Sequence, residues 1–505
     1  MKRSGKRWYR PRNIVLAIVL IVVGVLGWAG AEVWKVYHAK PNIAVDYAAR
    51  LQQLSEEAQP PGENAWPLIE EAMALFETAT AAIESQKIGD RSDEFIEDGG
   101  YLEFWRIVDE PKVQADVERE RRMIALMKER GVFDLLARAS TMPRSVRPIP
   151  GGDDMLLARA MPSLGRARRL AEAMIAGARL AATNGDDSAS LQAMEASFAL
   201  ARMISYDPVV ISHLVACAIQ SKALHELAHE LEELEFNEET CIALLQILDG
   251  RHDLAPFEHA LQGENLLALD AIQHAFSDDG RGGGNLLPST NDPLQPLPGW
   301  PNAEKWLNAA LGRFVLASRM DVVRNMQAYF DAAIESSHCP PRDLKDANAA
   351  MNEIFNQARE GNDPFTELLG GAIHKSVETA ARSKQMLQCV RVMIGIELFR
   401  SRNGRCPEAL DELMPSVFSE LPLDPFCGGP FIYRRVENDP HGRQYLLYST
   451  GLDQVDDGGV EYIDPDTGHP SFAPLRDPNL QGYDHFIFRP RGYTPGTSID
   501  LPSHE

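Results

Sequence analysis

Two short stretches of this chain carry residue types that could do chemistry. His225-Glu226-Leu227-Ala228-His229 has the spacing H-E-x-x-H. On a helix that spacing sets two imidazoles on one face, where they can share a zinc ion, with Glu226 as the general base of a metallopeptidase. The second stretch reads Gly451-Leu452-Asp453-Gln454-Val455-Asp456-Asp457-Gly458-Gly459. Its three carboxylates, Asp453, Asp456 and Asp457, sit in a glycine-bent loop whose carbonyls could complete the roughly six to eight hard oxygens that calcium takes.

Each stretch has a plainer counterpart. Around the histidines, Leu224, Leu227, Ala228, Leu231 and Leu234 recur at helical spacing and predict a buried stripe. That leaves His225, Glu226 and His229 on a polar face with Glu230, Glu232 and Glu233. A zinc helix needs its motif side turned inward and a third ligand; Glu258, His259 and Glu264 are candidates, and no spacing selects one. The acidic loop can equally be a solvated turn. No G-x-S-x-G, P-loop or dinucleotide fingerprint occurs elsewhere, so no catalytic residue is read outside the zinc alternative.

The elements that must position these residues are mostly helical. Three- and four-residue apolar steps predict helices at 45–58, from 64 onward, and at 112–130, 156–183, 190–204, 208–231, 238–248 and 256–276. Short polar connectors between them, such as Asn184-Gly185-Asp186-Asp187, imply antiparallel neighbours in a bundle or a short array of helix pairs. Periodicity vanishes over 277–300, which is rich in Gly and Pro, and returns over 303–336 and 344–358.

Composition bounds the function. The 505 residues carry a formal charge of -23, which excludes a nucleic-acid partner, because phosphate binding needs clustered Lys and Arg. The N-terminus breaks this acidic pattern. Lys2, Arg3, Lys6, Arg7, Arg10 and Arg12 precede an uncharged run from Ile14 to Ala31, long enough as a helix for about 27 Å of bilayer. The positive-inside rule keeps the basic end in the cytoplasm and sends the rest outward. Ala29-Gly30-Ala31 also fits a cleaved signal peptide, while the length of the run and Trp28 and Trp34 favour a retained single-pass anchor in the inner membrane.

Six cysteines without a C-x-x-C pair indicate neither a zinc ribbon nor a redox site. Cys217, Cys241 and Cys389 sit among apolar helical residues as expected buried thiols. Cys406 and Cys427 could bridge across two turns in an oxidising compartment.

The last predicted helix, 365–401, is long and amphipathic. Leu387, Val390, Ile394 and Leu398 form its apolar side, Met386, Met393 and Ile396 widen it, and Asn403-Gly404 closes it. A short helix from Pro407 to Leu413 should follow, then strands at 431–435, 444–449 and 484–489 forming a small antiparallel sheet on the long helix. Asn403-Gly404 with Pro407, Leu421-Pro422-Leu423-Asp424-Pro425-Phe426 and Leu447-Tyr448-Ser449 with Gly451 and Asp453 occur in the order seen in the globular part of type II secretion major pseudopilins, which 383–489 resembles. The resemblance implies an α+β fold, an extracytoplasmic setting, secretion or other envelope proteins as partners, and calcium at Asp453, Asp456 and Asp457. Two features depart from that family: the apolar run is separated from the module by the whole helical region, and Pro364-Phe365-Thr366-Glu367 only echoes the family's processing motif.

The chain as a whole resembles uncharacterised bacterial single-pass envelope proteins that carry such a module. The expected organisation is a basic tail (1–13), an anchor (14–34), a helical domain (35–276), a linker (277–300), a helical extension (301–364), the α+β module (365–490) and a tail (491–505). The expected role is non-catalytic, either in envelope assembly or as a helical scaffold that binds protein partners.

Overall fold

The structure, a computed structural model, describes residues 43–85, 111–152, 154–160, 164–234, 236–250, 252–278, 316–436 and 444–451, together with isolated positions between 20 and 41 and at 284, 286, 287, 455, 456, 458 and 459. It is mainly helical with one two-stranded antiparallel sheet among the described residues. The helices are α1 (Tyr47–Glu57), α2 (Trp66–Ser85), α3 (Pro111–Glu129), α4 (Val132–Ser140), α5 (Leu156–Ala160), α6 (Leu164–Thr183), α7 (Asp187–Ser205), α8 (Val210–Glu233), α9 (Glu238–Leu248), α10 (Phe257–Ala275), α11 (Arg319–His338), α12 (Leu344–Glu360) and α13 (Pro364–Asn403).

Polar side chains start many of these helices. Asp46, Asp186, Asn237, Ser318 and Asp363 each accept a backbone N–H from the first turn that follows them, an interaction worth about 1 kcal/mol per cap. Gly404, at φ 70, ends α13 in the left-handed conformation expected of Asn403-Gly404. Two features depart from the expectation. Val132–Ser140 forms a helix that the periodicity reading passed over, although Val132, Leu135, Leu136 and Ala139 recur at helical spacing and are all buried. The single helix expected over 156–183 is two, α5 and α6.

Of six apolar clusters among the described residues, the four largest carry most of the packing. Ile69, Leu136, Met174 and Leu200 join α2, α4, α6 and α7. Phe276, Met326, Phe330 and Phe365 join the end of α10 to α11 and the start of α13. Phe198, Leu227, Leu244 and Ile394 join α7, α8, α9 and α13. Val392, Ile396, Leu413 and Phe431 close the last one. Helix α13 enters three of the four, and its 40 residues span about 60 Å. The expected apolar face is buried at Val390, Met393, Ile394, Ile396 and Leu398, and Cys389 and Val392, beyond that face, are buried as well. The cause is that α8 and α9 cover one side while the C-terminal module covers the other. Gly395 makes the second contact possible, since a Cβ there would collide with the Phe418 ring.

The segment between α4 and α5 takes a backbone partner at Arg144, whose carbonyl accepts from Ala65 N at 2.8 Å, and side chains serve the residues that follow. Gln59 accepts from Ser145 N and donates to Ser145 O. Asn64 does the same for Val146, at 2.7 and 2.8 Å. Arg147 makes a two-pronged pair with Asp207 at 3.0 and 3.2 Å, and Leu156 N donates to Asp270 at 2.6 Å.

In the C-terminal module, β1 (Ile432–Arg435) and β2 (Tyr445–Tyr448) pair antiparallel, with Ile432 opposite Tyr448 and Arg435 opposite Tyr445. Both lie within one residue of their expected bounds; the expected strand at 484–489 lies outside the described residues. The short helix expected from Pro407 is instead a single 3-10 turn at Leu410–Leu413. Its first residues are drawn away: the Pro407 carbonyl accepts from the Tyr433 hydroxyl at 2.7 Å, and Ala409 is extended. The cysteines at 406 and 427 are free, so the bridge that their positions in the two turns could have allowed is not formed. Each thiol has its own partner, Gln444 Oε1 for Cys406 and Gly429 N for Cys427. Cys217, Cys241 and Cys389 are buried thiols as expected.

Among the described residues no helix is long and apolar enough to cross a membrane. Roughly half of the expected anchor at 14–34 lies outside those residues; its described positions from Leu20 to Trp34 are helical.

Candidate functional site

Helix α8 carries the H-E-x-x-H spacing, and α6, α7 and α13 all pack on it. Three neighbours leave only a narrow outer strip. Lys222 and His225 are exposed on it and His229 is half-buried. His225 Nδ1 lies 2.8 Å from the Ser221 carbonyl, one turn back on its own helix. The expected polar face is corrected here: Glu226 is only 7% exposed and Glu230 only 4%, while Leu234, expected in the buried stripe, is half-exposed. A helical stripe read from one chain shows where apolar residues lie, and it does not show how many neighbours will cover the helix.

The two buried carboxylates meet a single guanidinium. Arg179, on α6, reaches Glu120 of α3 at 3.1 Å through Nη2, while its Nε lies 4.0 Å from Glu226 Oε1. Glu230 Oε1 finds no hydrogen-bond partner. Burial raises the pKa of Glu226, with Arg179 and His229 opposing and Glu120 adding to the rise. Burial followed by the Glu226 charge pushes Glu230 up to about 8.

The candidate third zinc ligands are engaged elsewhere. Glu258 pairs with His338 at 2.8 Å. His259 Nε2 lies 3.0 Å from the Tyr206 carbonyl, and burial lowers its pKa. Glu264 accepts the Val210 N–H at 3.0 Å, capping the first turn of α8 from a neighbouring helix. Val210 is fifteen residues before His225, about 22 Å along the axis, so Glu264 and the motif stand at opposite ends of α8. Among the described residues, no group of three or more His, Cys, Asp or Glu side chains is disposed to hold a metal ion.

In the acidic loop, Asp453 and Asp457 lie outside the described residues. Asp456 accepts from the Tyr448 hydroxyl at 2.8 Å and from Gly458 N at 3.0 Å, and the Arg434 guanidinium closes on its other oxygen. Burial works to raise its pKa, but the Gly458, Tyr448 and Arg434 hydrogen bonds outweigh it and hold Asp456 below the usual carboxylate range. A cation is thus already in place on this carboxylate.

A third constellation was read from the sequence only as turn chemistry. Asp424 is fully buried at the meeting point of α13 and the sheet. Its Oδ1 accepts from Gln385 of α13 and from Phe426 N, both at 3.0 Å, and its Oδ2 accepts from the Ser449 hydroxyl. Gln385 also donates to Ser449 Oγ at 3.0 Å, which in turn accepts from Gly451 N at 3.0 Å. The Asp of the L-P-x-D-P turn and the Ser of the L-Y-S strand therefore clasp each other over the long helix. The signal available in the sequence was that two polar motif residues lay inside apolar strings, where burial demands partners.

A comparable polar knot ties the helical region. The buried Asp207–Arg147 pair also receives the Ser212 hydroxyl, and His213, stacked 4.9 Å from Phe257, is driven down to about 4 by burial, with Lys384 and His259 adding to the fall. Gln220 of α8 accepts from Ser383 of α13 at 2.8 Å, joining the two longest helices by a buried hydrogen bond. These groups hold elements together. No family model, no curated protein and no solved structure matches this chain.

Proposed function

We propose that the chain is a membrane-anchored helical scaffold of the cell envelope, held by its N-terminal segment with the bulk outside the cytoplasm, and that its C-terminal pseudopilin-like α+β module serves assembly rather than catalysis. One observation carries the anchor. Leu20, Val22, Val23, Val25, Trp28 and Trp34, at helical positions, are between 48% and 67% exposed. Apolar helix surface left uncovered by the rest of the chain fits hydrocarbon far better than water. The six cations before Ile14 give the direction of insertion.

The scaffold role is supported by the use made of the polar side chains. Asp424, Gln385, Ser449, Asp207 and Arg147 tie elements together, and Asp456 is spent on Arg434. The test is alkaline carbonate extraction together with a periplasm-active reporter fused after Glu505. Retention in the membrane pellet with an active reporter is expected. Release into the supernatant, or a reporter active only when cytoplasmic, defeats the reading. Co-purification from membranes with secretion or envelope proteins then identifies the assembly served.

A further inference from the structure

The segment that follows the apolar N-terminal run is clipped to one corner of the helical body. Pro41 forms an isolated antiparallel bridge with Ser277, and Gln273 of α10 accepts from Val45 N at 3.3 Å and donates to Val45 O at 3.0 Å. Gln273 is buried and also donates to Asp270, so the clip is part of the core. The chain has little slack on the other side of it. The uncharged run ends at Ala31, Glu32 and Lys35 pair at 2.8 Å, and the seven steps from Trp34 to Pro41 span at most about 25 Å even when fully extended. The corner at 273–277 is therefore held within that reach of Trp34. It also presents apolar side chains to solvent: Ile43, in the tether, is 52% exposed, and Met320, in the first turn of α11, is 55% exposed. The Asp278–Arg319 pair at 3.3 Å brings that turn of α11 beside the Pro41–Ser277 bridge. Met414, another exposed apolar residue, sits elsewhere. Helix α13 starts at the corner, with the Phe365 ring 5.5 Å from Phe276, and Met414 follows a turn whose Leu413 packs with Phe399, about 50 Å further along that helix.

We propose that this corner is a membrane-contact surface, resting on the headgroup layer of the bilayer that holds the anchor, with Ile43 and Met320 entering that layer. The inference rests on the membrane anchor proposed above and adds which face of the body meets the lipid. Two apolar side chains would bind a free surface only weakly. Here the short tether keeps them beside the bilayer at high effective concentration, so a weak contact becomes a persistent one. The Gln273 clip fixes which side chains the tether delivers.

The test reconstitutes the full chain into vesicles of phosphatidylcholine and phosphatidylglycerol that carry a phospholipid with a photoreactive headgroup, and maps the crosslinks by mass spectrometry after flotation. Peptides covering 319–338 should be labelled several-fold more than those containing Met414. Met320 decides the matter, because it lies far from the anchor in sequence and only the fold brings it near. In the double variant Ile43→Asp with Met320→Asp, both at exposed positions, the chain should still float while labelling of 319–338 falls several-fold. Failure of the unaltered chain to float defeats the anchor itself and this inference with it. Flotation with Met320 and Met414 peptides labelled equally, or labelling of 319–338 unchanged in the double variant, overturns the contact surface and leaves the anchor standing.

Discussion

The α8 motif and the Asp424 clasp make an instructive pair. Both contain buried polar side chains where separate elements meet. In the clasp, Asp424 receives Gln385, Phe426 N and Ser449, and Ser449 receives Gly451 N, so every member is served. At α8, Glu226 and Glu230 share one guanidinium already committed to Glu120, and one oxygen of Glu230 is left bare. The first arrangement fixes a fold and the second stores electrostatic stress. A motif match pointed to the second for its chemistry, whereas the distribution of partners makes one region a fully satisfied network and leaves the other with an unpaired buried oxygen.

The contrast can be broken most forcefully at Asp424. Asp424→Ala strands Gln385, Ser449 and Phe426 N without their acceptor in a buried site and should cost about 3 to 5 kcal/mol, seen as loss of the C-terminal module in denaturant unfolding. A loss under about 1 kcal/mol would mean the clasp is incidental.

Next in size, Glu230→Gln should stabilise the protein, with a sign that depends on pH. The unfolded carboxyl loses its proton near 4.5 and the folded one near 8. Stability therefore falls as pH rises between those values, because the unfolded chain has shed a proton that the folded chain retains, and the full cost persists above 8. The variant should match the unaltered chain at pH 4 and exceed it by about 2 kcal/mol at pH 9 in the same unfolding measurement. Equal stability at both pH values would remove the stress from α8.

Asp456 sharpens the comparison from the surface. Its bond to Arg434 is half-exposed, so Asp456→Ala should cost about 1 kcal/mol or less. With Arg434 in place, thermal midpoints in calcium and in chelator should coincide; a calcium-dependent rise would instead assign the loop to metal. The smallest effect is expected at the outer strip of α8. His225→Ala should change stability by less than about 0.5 kcal/mol and leave the metal content of the purified protein where it was, and loss of one equivalent of zinc would restore the metallopeptidase reading.

Much of the architecture was legible in the residues themselves. Apolar spacing and caps located α13 and the two strands to within a residue or two, because those signals are local: Asp363 and Gly404 bracket the helix, and alternation marks Ile432–Arg435 and Tyr445–Tyr448. The candidate site was read less well. That Glu226 and Glu230 are buried follows from α6 packing along α8 and from α3 beyond it, contacts no five-residue spacing encodes. Helix α4 was legible and was passed over: Val132, Leu135, Leu136 and Ala139 mark its buried face at helical spacing.

The linear order of residues thus determined the helical class, the basic-then-apolar N-terminus, the αL end of α13 and the pairing of β1 with β2, since each depends on neighbours a few positions away. Only the tertiary structure decided that Asp424 and Ser449 meet over Gln385, that α13 is buried on two sides, and that three carboxylates crowd one arginine. Those outcomes depend on which distant surfaces come together, and burial changes the energy of a charge far more than its neighbours in sequence can.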